Sequence, residues 1–437
     1  MKNTKIFLRL TLAAITAAGF AISCSKDNSH KDQPSFNIPY TVTLHNSLTK
    51  AQFLDSLKNS FIDESAASAF AGTVPDNMTF ESYNITYNGK DEKDKDVSLS
   101  GVVIIPKVGG KFTASGIVIS NRATQLSNYG VPSNKWNAGT IMAADNYVLV
   151  SSDLIGFGAS VDRPANYNCW HLAGRNTLLT AIIAQEMIHD SNFVSEKVNG
   201  NLDVINIGYS QGGYSALAVH RYWETEASEE EKAMAPLVKS YCGAGPYSLG
   251  TMMEKHFGQG RSMFAPYLVE GLMSVLAYHP EAFKGKTLED FLTEEAIESE
   301  IVDMLEDKEA GNIEMIAYCL LFFADEQTIE TKDIDLKYVF NEEMLSKDSQ
   351  LYKMVDEALS TECVYKGWIP SQKPIWFYHA EKDNCVPCEC TINAVKEFAS
   401  SRLIEVEYDK QPSQPKLHLV AEKIFNSRLL TDFLKKK

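Results

Sequence analysis

Val204-Ile205-Asn206-Ile207-Gly208-Tyr209-Ser210-Gln211-Gly212 carries the most information in this chain of 437 residues. The apolar run Val204 to Ile207 reads as a buried strand, and Tyr214 to Trp223 as a helix. Between them lies G-x-S-x-G, which in a strand-turn-helix setting is a nucleophile elbow. The turn forces its serine into a strained backbone conformation. Only small neighbours tolerate that turn, because a Cβ at either glycine would meet the adjoining strand or helix. The hydroxyl of Ser210 is thereby lifted clear of the sheet edge at a helix N-terminus.

A serine hydroxyl is a weak nucleophile near neutral pH and needs a base, itself oriented by an acid. On an elbow these partners follow in the order acid, then histidine. Pro374 to His379 reads as a buried strand running into the polar turn Ala380-Glu381-Lys382-Asp383-Asn384-Cys385-Val386-Pro387. Asp383 lies just past the strand's C-terminal end, where a sheet enzyme displays its catalytic groups. Glu381 is its competitor. Beyond Asp383 the chain has one histidine, His418, in Pro415-Lys416-Leu417-His418-Leu419 ahead of a helical tail. His379 precedes the acid and reads as packing or support. One oxyanion donor is expected at the backbone N–H of Gln211. The second is expected at Arg122 or Ala123, in the loop after the strand Gly116 to Ser120; a solvated or salt-bridged Arg122 is the competing reading.

With these segments the chain resembles an α/β-hydrolase of the secretory lipase/esterase type from about Glu81 to the C-terminus. The resemblance rests on Leu99-Ser100-Gly101-Val102-Val103-Ile104-Ile105-Pro106, on Asn146 to Asp153 with Gly156-Phe157-Gly158, on the Ser210 elbow, on Gly243-Ala244-Gly245-Pro246-Tyr247, and on the Asp383 and His418 segments. It implies an α/β-hydrolase fold, a mostly parallel sheet flanked by helices, with an inserted helical cap. It also implies a Ser210-Asp383-His418 triad, an acyl-enzyme intermediate, and neither metal nor organic cofactor. Relatives often carry a His-Gly pair at the oxyanion loop, where this chain has Asn121-Arg122. Asp153 ends a strand but precedes Ser210, so it reads as a loop stabiliser.

The N-terminus carries Lys2, Lys5 and Arg9, then an apolar run from Leu10 to Ile22 ending at Ser23-Cys24. That pattern is a secretory signal over residues 1–23, and the small residues before Cys24 resemble a bacterial lipobox. Cys24 would become the lipidated first residue, anchoring an exported protein to a membrane. Residues 24–43 read as a flexible linker, 44–80 as an N-terminal helical extension marked by Leu54, Leu57, Phe61 and Ile62, and 81–437 as the hydrolase domain. A hydrophobic content of 44% suits a globular chain, and a net charge of −16 argues against a nucleic-acid partner. Cys385, Cys388 and Cys390 form C-x-x-C-x-C just after Asp383. A disulfide bracing the acid loop, for instance to Cys363, and buried free thiols are the competing readings; a zinc knuckle would lack its fourth ligand.

About 160 residues separate the elbow from the acid strand, far more than one crossover needs. Residues 246–368 are mostly helical in pattern, with Met252, Met253, Leu268, Leu272 and Met273 at helical spacing. They read as a cap whose methionines and aromatics line an acyl pocket or pack its own core. The expected substrate is a small or medium acyl ester. A peptidase of prolyl-oligopeptidase-like type is the first rival, though no strand array precedes Glu81. A non-catalytic lipid- or glycan-binding surface lipoprotein is the second, and it would need none of the three triad residues.

Overall fold

The computed structural model describes residues 38–57, 71–72, 74–135, 146–414 and 417–434. The basic-apolar leader and Cys24 lie outside them. Among the described residues no helix is long and apolar enough to cross a membrane.

A 10-stranded sheet organises the chain, in the order β1-β2-β3-β6-β5-β7-β8-β11-β12 with the short β4 (Lys111–Phe112) on β3. β1 (Tyr40–Thr49), β2 (Met78–Lys90) and β3 (Asp96–Val108) form an antiparallel wing that joins β6 (Tyr147–Ser152) antiparallel. From β6 onward, β5 (Gly116–Asn121), β7 (Val204–Tyr209), β8 (Leu237–Gly243), β11 (Ile375–Ala380) and β12 (Ile404–Asp409) run parallel. Parallel strands need crossovers, and those helices cover both faces. Every residue of β5 and of β7 is accordingly buried.

Side chains alternate across the sheet with a period of two. Ile117 and Ile119 pack on one face with Val148, Val150 and the inner side of α2 (Trp170–His189), where Ile182, Ile183 and Met187 are fully covered. Val118 and Leu149 point to the other face, where Ile205, Ile207 and Tyr209 meet Phe425 and Leu429 of the C-terminal helix. That helix, like α1 (Lys50–Leu57) with its stacked Phe53–Phe80 pair, closes the second face.

Helix begins at Lys50 and not at Leu44. Tyr40–Thr49 is an edge strand in register with β2, so the helical extension expected from residue 44, and the last residues of the linker expected up to 43, are strand there. The β-branched Thr41, Val42 and Thr43 suit a pleated edge, and Val42 alone of that strand is buried.

Between β8 and β11 the chain leaves the sheet for a helical insert. It contains α4 (Leu249–Gln259), α5 (Ala265–Tyr278), α6 (Ile301–Asp307), α7 (Asn312–Phe322) and α8 (Gln350–Thr361), whereas α3 (Gln211–Thr225) follows the elbow and belongs to the body. Two residue pairs of β9 (Arg261–Ser262) and β10 (Ile334–Asp335) tie the insert internally. The insert has its own apolar core, centred on Val269, Phe291, Leu305, Met315 and Phe340. Two further helices, α9 (Glu389–Glu397) and α10 (Leu417–Leu434), flank β11 and β12.

Candidate active site

Ser210 links β7 to α3 with φ 59° and ψ −128°. A non-glycine residue held there stores strain of about 1–3 kcal/mol, which surrounding contacts must enforce. They do so from two sides. The Ser210 N–H donates to Gly243 O (2.9 Å), and the Tyr214 N–H to Ser210 O (3.1 Å). A Cβ on Gly208 would strike the carbonyl of Gly212, and one on Gly212 would strike that of Asn121. Both motif glycines are thus required by close backbone approach.

The acid and the histidine converge from later strands. Asp383 follows β11 with its carboxylate wholly buried. Its Oδ1 accepts the N–H groups of Cys385 (2.8 Å) and Val386 (3.0 Å), and its Oδ2 accepts His418 Nδ1 at 2.7 Å. Burial pushes this carboxyl up, but the His418 charge and these hydrogen bonds outweigh it and hold it below the usual aspartate range. His418 stands in the first turn of α10. Burial lowers its imidazole, while Asp383 first and Glu422 second raise it, and the balance lies above the ordinary histidine value.

His418 sits against the elbow. The Tyr209 hydroxyl donates to His418 O (2.9 Å), and the two rings lie 5.0 Å apart between centroids. The other ring nitrogen, Nε2, is buried and has no hydrogen-bond partner among the described residues. A hydrogen bond from Ser210 to that nitrogen is therefore not made here. Such contacts commonly tighten only when substrate binds.

His379 is fully buried, with Nδ1 against Thr391 Oγ1 (2.6 Å) and Nε2 against Val386 O (2.8 Å). Both nitrogens are engaged, and burial pushes the ring toward neutrality. It braces the acid loop. Glu381 is exposed and lies off this cluster. Asp153 is buried too, accepting Ser100 Oγ (2.6 Å) and the Ser133 N–H (3.0 Å), which ties β3 and the loop at Ser133 to the end of β6. Burial raises its carboxyl.

On the oxyanion side, the carbonyls of Asn121 and Arg122 press against Gly212, so the loop after β5 lies directly on the first turn of α3. The Gln211 N–H opens that helix, where backbone donors have no intrahelical partner. Arg122 is buried, and it makes no salt bridge among the described residues. It is 4% exposed, its Nε donates to Asp153 O (3.1 Å), its guanidinium lies 4.5 Å above the Phe157 ring, and its Nη2 is unpartnered among the described residues. Burial lowers its pKa to about 10. Ala123 follows in the same loop.

Two further groups went unread in the sequence. Asn121 Nδ2 donates to Asn206 Oδ1 (2.7 Å) and Ile207 O (2.9 Å), and Asn206 Nδ2 reaches Ala216 O (2.7 Å) and Ser240 Oγ (2.9 Å). This amide pair fastens the oxyanion loop to the elbow strand; the signal was an asparagine inside an apolar run. Glu422, one turn past His418, is 8% exposed, and burial pushes its carboxyl up to about 7.

Each of the seven described cysteines is a buried free thiol, so no bridge joins the acid loop to Cys363. Cys363, Cys385 and Cys390 pack as small apolar residues in one cluster with Tyr247 and Phe377.

The sheet order, the strained turn at Ser210 after β7 and the helical insert between β8 and β11 define an α/β-hydrolase fold. Solved structures with this architecture bear that out. The rice cell wall degrading esterase LipA from Xanthomonas oryzae superposes with a TM-score of 0.73 at 16% identity, over 93% of this chain and 100% of that one. Lipase A of Candida antarctica in its closed state superposes with a TM-score of 0.55 at 15% identity, over 84% and 76% of the two chains. No family model and no curated protein matches the sequence.

Proposed function

We propose that this chain is a serine-dependent carboxylic ester hydrolase. The observation that carries the reading is an imidazole held by Asp383 through Nδ1, its Nε2 without a hydrogen-bond partner among the described residues, packed against Tyr209, the residue before the strained Ser210. Ser210 Oγ attacks the ester carbonyl while His418 Nε2 takes its proton, and Asp383 stabilises the imidazolium that forms. The N–H of Gln211 and one from Arg122 or Ala123 hold the oxyanion. The imidazolium then protonates the leaving alcohol, and water activated by His418 releases the acid from the acyl-enzyme.

An acyl group suits the insert. A cleft in the insert is lined by Tyr167, Met253, Tyr267, Leu268, Leu272 and Phe340 among others, almost wholly apolar. It reaches Pro246, close in sequence to the Gly243 carbonyl that anchors Ser210, and Tyr167, whose hydroxyl lies 3.4 Å from Thr124 of the oxyanion loop. A small or medium acyl chain is the substrate class this favours, and the structural likeness to an esterase and a lipase supports ester chemistry. A Cys24 anchor would hold the enzyme at a membrane surface outside the cytoplasm, supported by the leader pattern alone.

The test is Ser210→Ala assayed on chromogenic esters of graded acyl length, beside aminoacyl anilides. Turnover should fall by about 10⁴- to 10⁶-fold with the fold intact, and labelling by a fluorophosphonate should vanish. Undiminished ester turnover in that variant, or anilide cleavage exceeding ester cleavage in the parent, overturns the reading. For the anchor, fatty-acid incorporation should be lost in Cys24→Ala.

A further inference from the structure

Away from the triad, three side chains of metal-binding type meet where the insert joins the body. Cys169 precedes α2, His279 follows α5 and Glu362 follows α8. One ligand atom from each, Sγ, a ring nitrogen and a carboxylate oxygen, lies within 4.8 Å of the other two. We propose that Cys169, His279 and Glu362 bind a single divalent d-block cation of the zinc type, completed by a water.

The donor set selects the ion. A thiolate and an imidazole suit zinc or cobalt and disfavour calcium and magnesium, which take oxygen ligands. The carboxylate is oriented as a ligand's would be. Glu362 Oε2 accepts the Trp170 N–H (2.9 Å), and its backbone carbonyl accepts the Tyr214 hydroxyl (2.7 Å), which leaves Oε1 facing His279 Nε2 at 2.8 Å. Such outer partners fix and tune metal ligands. The Cys169 backbone is held by Asn166 Oδ1 (3.2 Å), with Ser274 Oγ 3.9 Å from its sulfur. The thiol is buried, while the His279 and Glu362 side chains are 23% and 13% exposed, so the cluster lies at the edge of the buried interior.

Zinc bonds of about 2.0–2.3 Å in a tetrahedron space the ligand atoms roughly 3.3–3.6 Å apart. The His279–Glu362 pair, at 2.8 Å, therefore opens by about half an ångström. Proton balance is simple. As the metal bonds form, the Cys169 S–H proton leaves to solvent, and the Nε2 proton that His279 gives to Glu362 is exchanged through solvent for one on Nδ1, which frees Nε2 to ligate. Protons compete with the cation for the thiolate and the imidazole, so affinity falls as pH is lowered. Bound, the cation pins the ends of α5 and α8 to the start of α2.

The experiment takes the full chain, treats it with a chelator and titrates Co²⁺, then Zn²⁺. One equivalent of Co²⁺ should produce a sulfur-to-cobalt charge-transfer band that Zn²⁺ abolishes, and Zn²⁺ should raise the Tm. Cys169→Ser should lose the band with an unchanged near-UV circular dichroism spectrum. His279→Gln should keep the band but need at least tenfold more Co²⁺. Absence of the band in the parent chain leaves a plain His-Glu pair beside a buried thiol and overturns the proposal. A band surviving Cys169→Ser also overturns it, assigning the metal to other thiols. Should Cys169→Ser not fold, an unchanged Co²⁺ affinity in His279→Gln combined with Glu362→Gln is equally decisive.

Discussion

The acid loop of the body and the underside of the insert treat a buried carboxylate in opposite ways. Asp383 receives two backbone N–H groups and an imidazole, and its carboxyl is held below the usual range despite full burial. Glu270 of α5 is 5% exposed and, among the described residues, accepts no hydrogen bond; Lys308 and Arg122 act on it only through space. Burial pushes it up to about 7. The difference is instructive. In the proposed triad Asp383 must stay ionised while His418 gains and loses a proton, and its three hydrogen bonds favour that state in a buried setting. The insert faces no such demand, and its buried surface is mainly apolar.

Asp383→Asn attacks the ligated side of this contrast and should have the largest effect. The amide leaves the loop geometry in place but favours the wrong tautomer of His418, so kcat on a short ester should drop by about 10⁴-fold. Asp153→Asn is the control. It disturbs the Ser100 and Ser133 contacts and should lower stability by about 1–3 kcal/mol, with kcat affected far less. The reverse ranking in paired kinetics and thermal melts would reassign the acid.

The insert should answer to bulk instead. Leu268→Trp, on the cleft wall, should shift the preferred acyl length downward. Discrimination against the longest accepted chain should grow about 10- to 100-fold, as one or two methylenes lose their place. An unchanged chain-length profile would detach the cleft from substrate binding.

Glu270→Gln sharpens the electrostatic half of the comparison. Glu270 has a folded value of about 7, raised above the 4.5 of a free glutamate. Its contribution to stability is fully present below about 4.5 and is lost as pH rises through 7. A glutamine escapes that loss, so the variant's Tm advantage should widen between pH 5 and pH 8, corresponding to at most on the order of 3 kcal/mol. A pH-independent difference would mean the carboxyl finds partners on ionising.

How much of this was legible beforehand follows from what kind of signal each part leaves. The elbow was readable because its glycines answer to backbone collisions that leave no alternative residue, at Gly208 and Gly212 alike. The order of acid and histidine followed from chain topology, and the structure joins Asp383 to His418. Residues 40–49 escaped because an edge strand buries one side chain and prints almost no period. Arg122 escaped because its burial is imposed by Phe157 and the end of β6, neither local to it in sequence. The thiols of the acid loop were ambiguous for the same reason: pairing or packing depends on partners from other segments, here Cys363 and Tyr247. The Cys169-His279-Glu362 cluster is assembled by three helix ends distant in the chain, and no local spacing announces it.

The smallest effect tests whether a second buried carboxyl reaches into the site itself. Glu422 lies four residues beyond His418 on α10, and Asp383 from the acid loop and Tyr209 from β7 face the same imidazole. When ionised, Glu422 stabilises the imidazolium and so adds to the upward shift that Asp383 dominates. The acid limb of kcat/KM follows His418 in the free enzyme, since the base must be neutral to accept the serine proton. Glu422→Gln removes one anionic neighbour, so that limb should move to lower pH while the plateau at high pH changes by no more than about 3-fold. Asp383→Asn, by contrast, lowers the plateau itself. A limb that stays in place in Glu422→Gln would show that only the ligated carboxylate governs the imidazole.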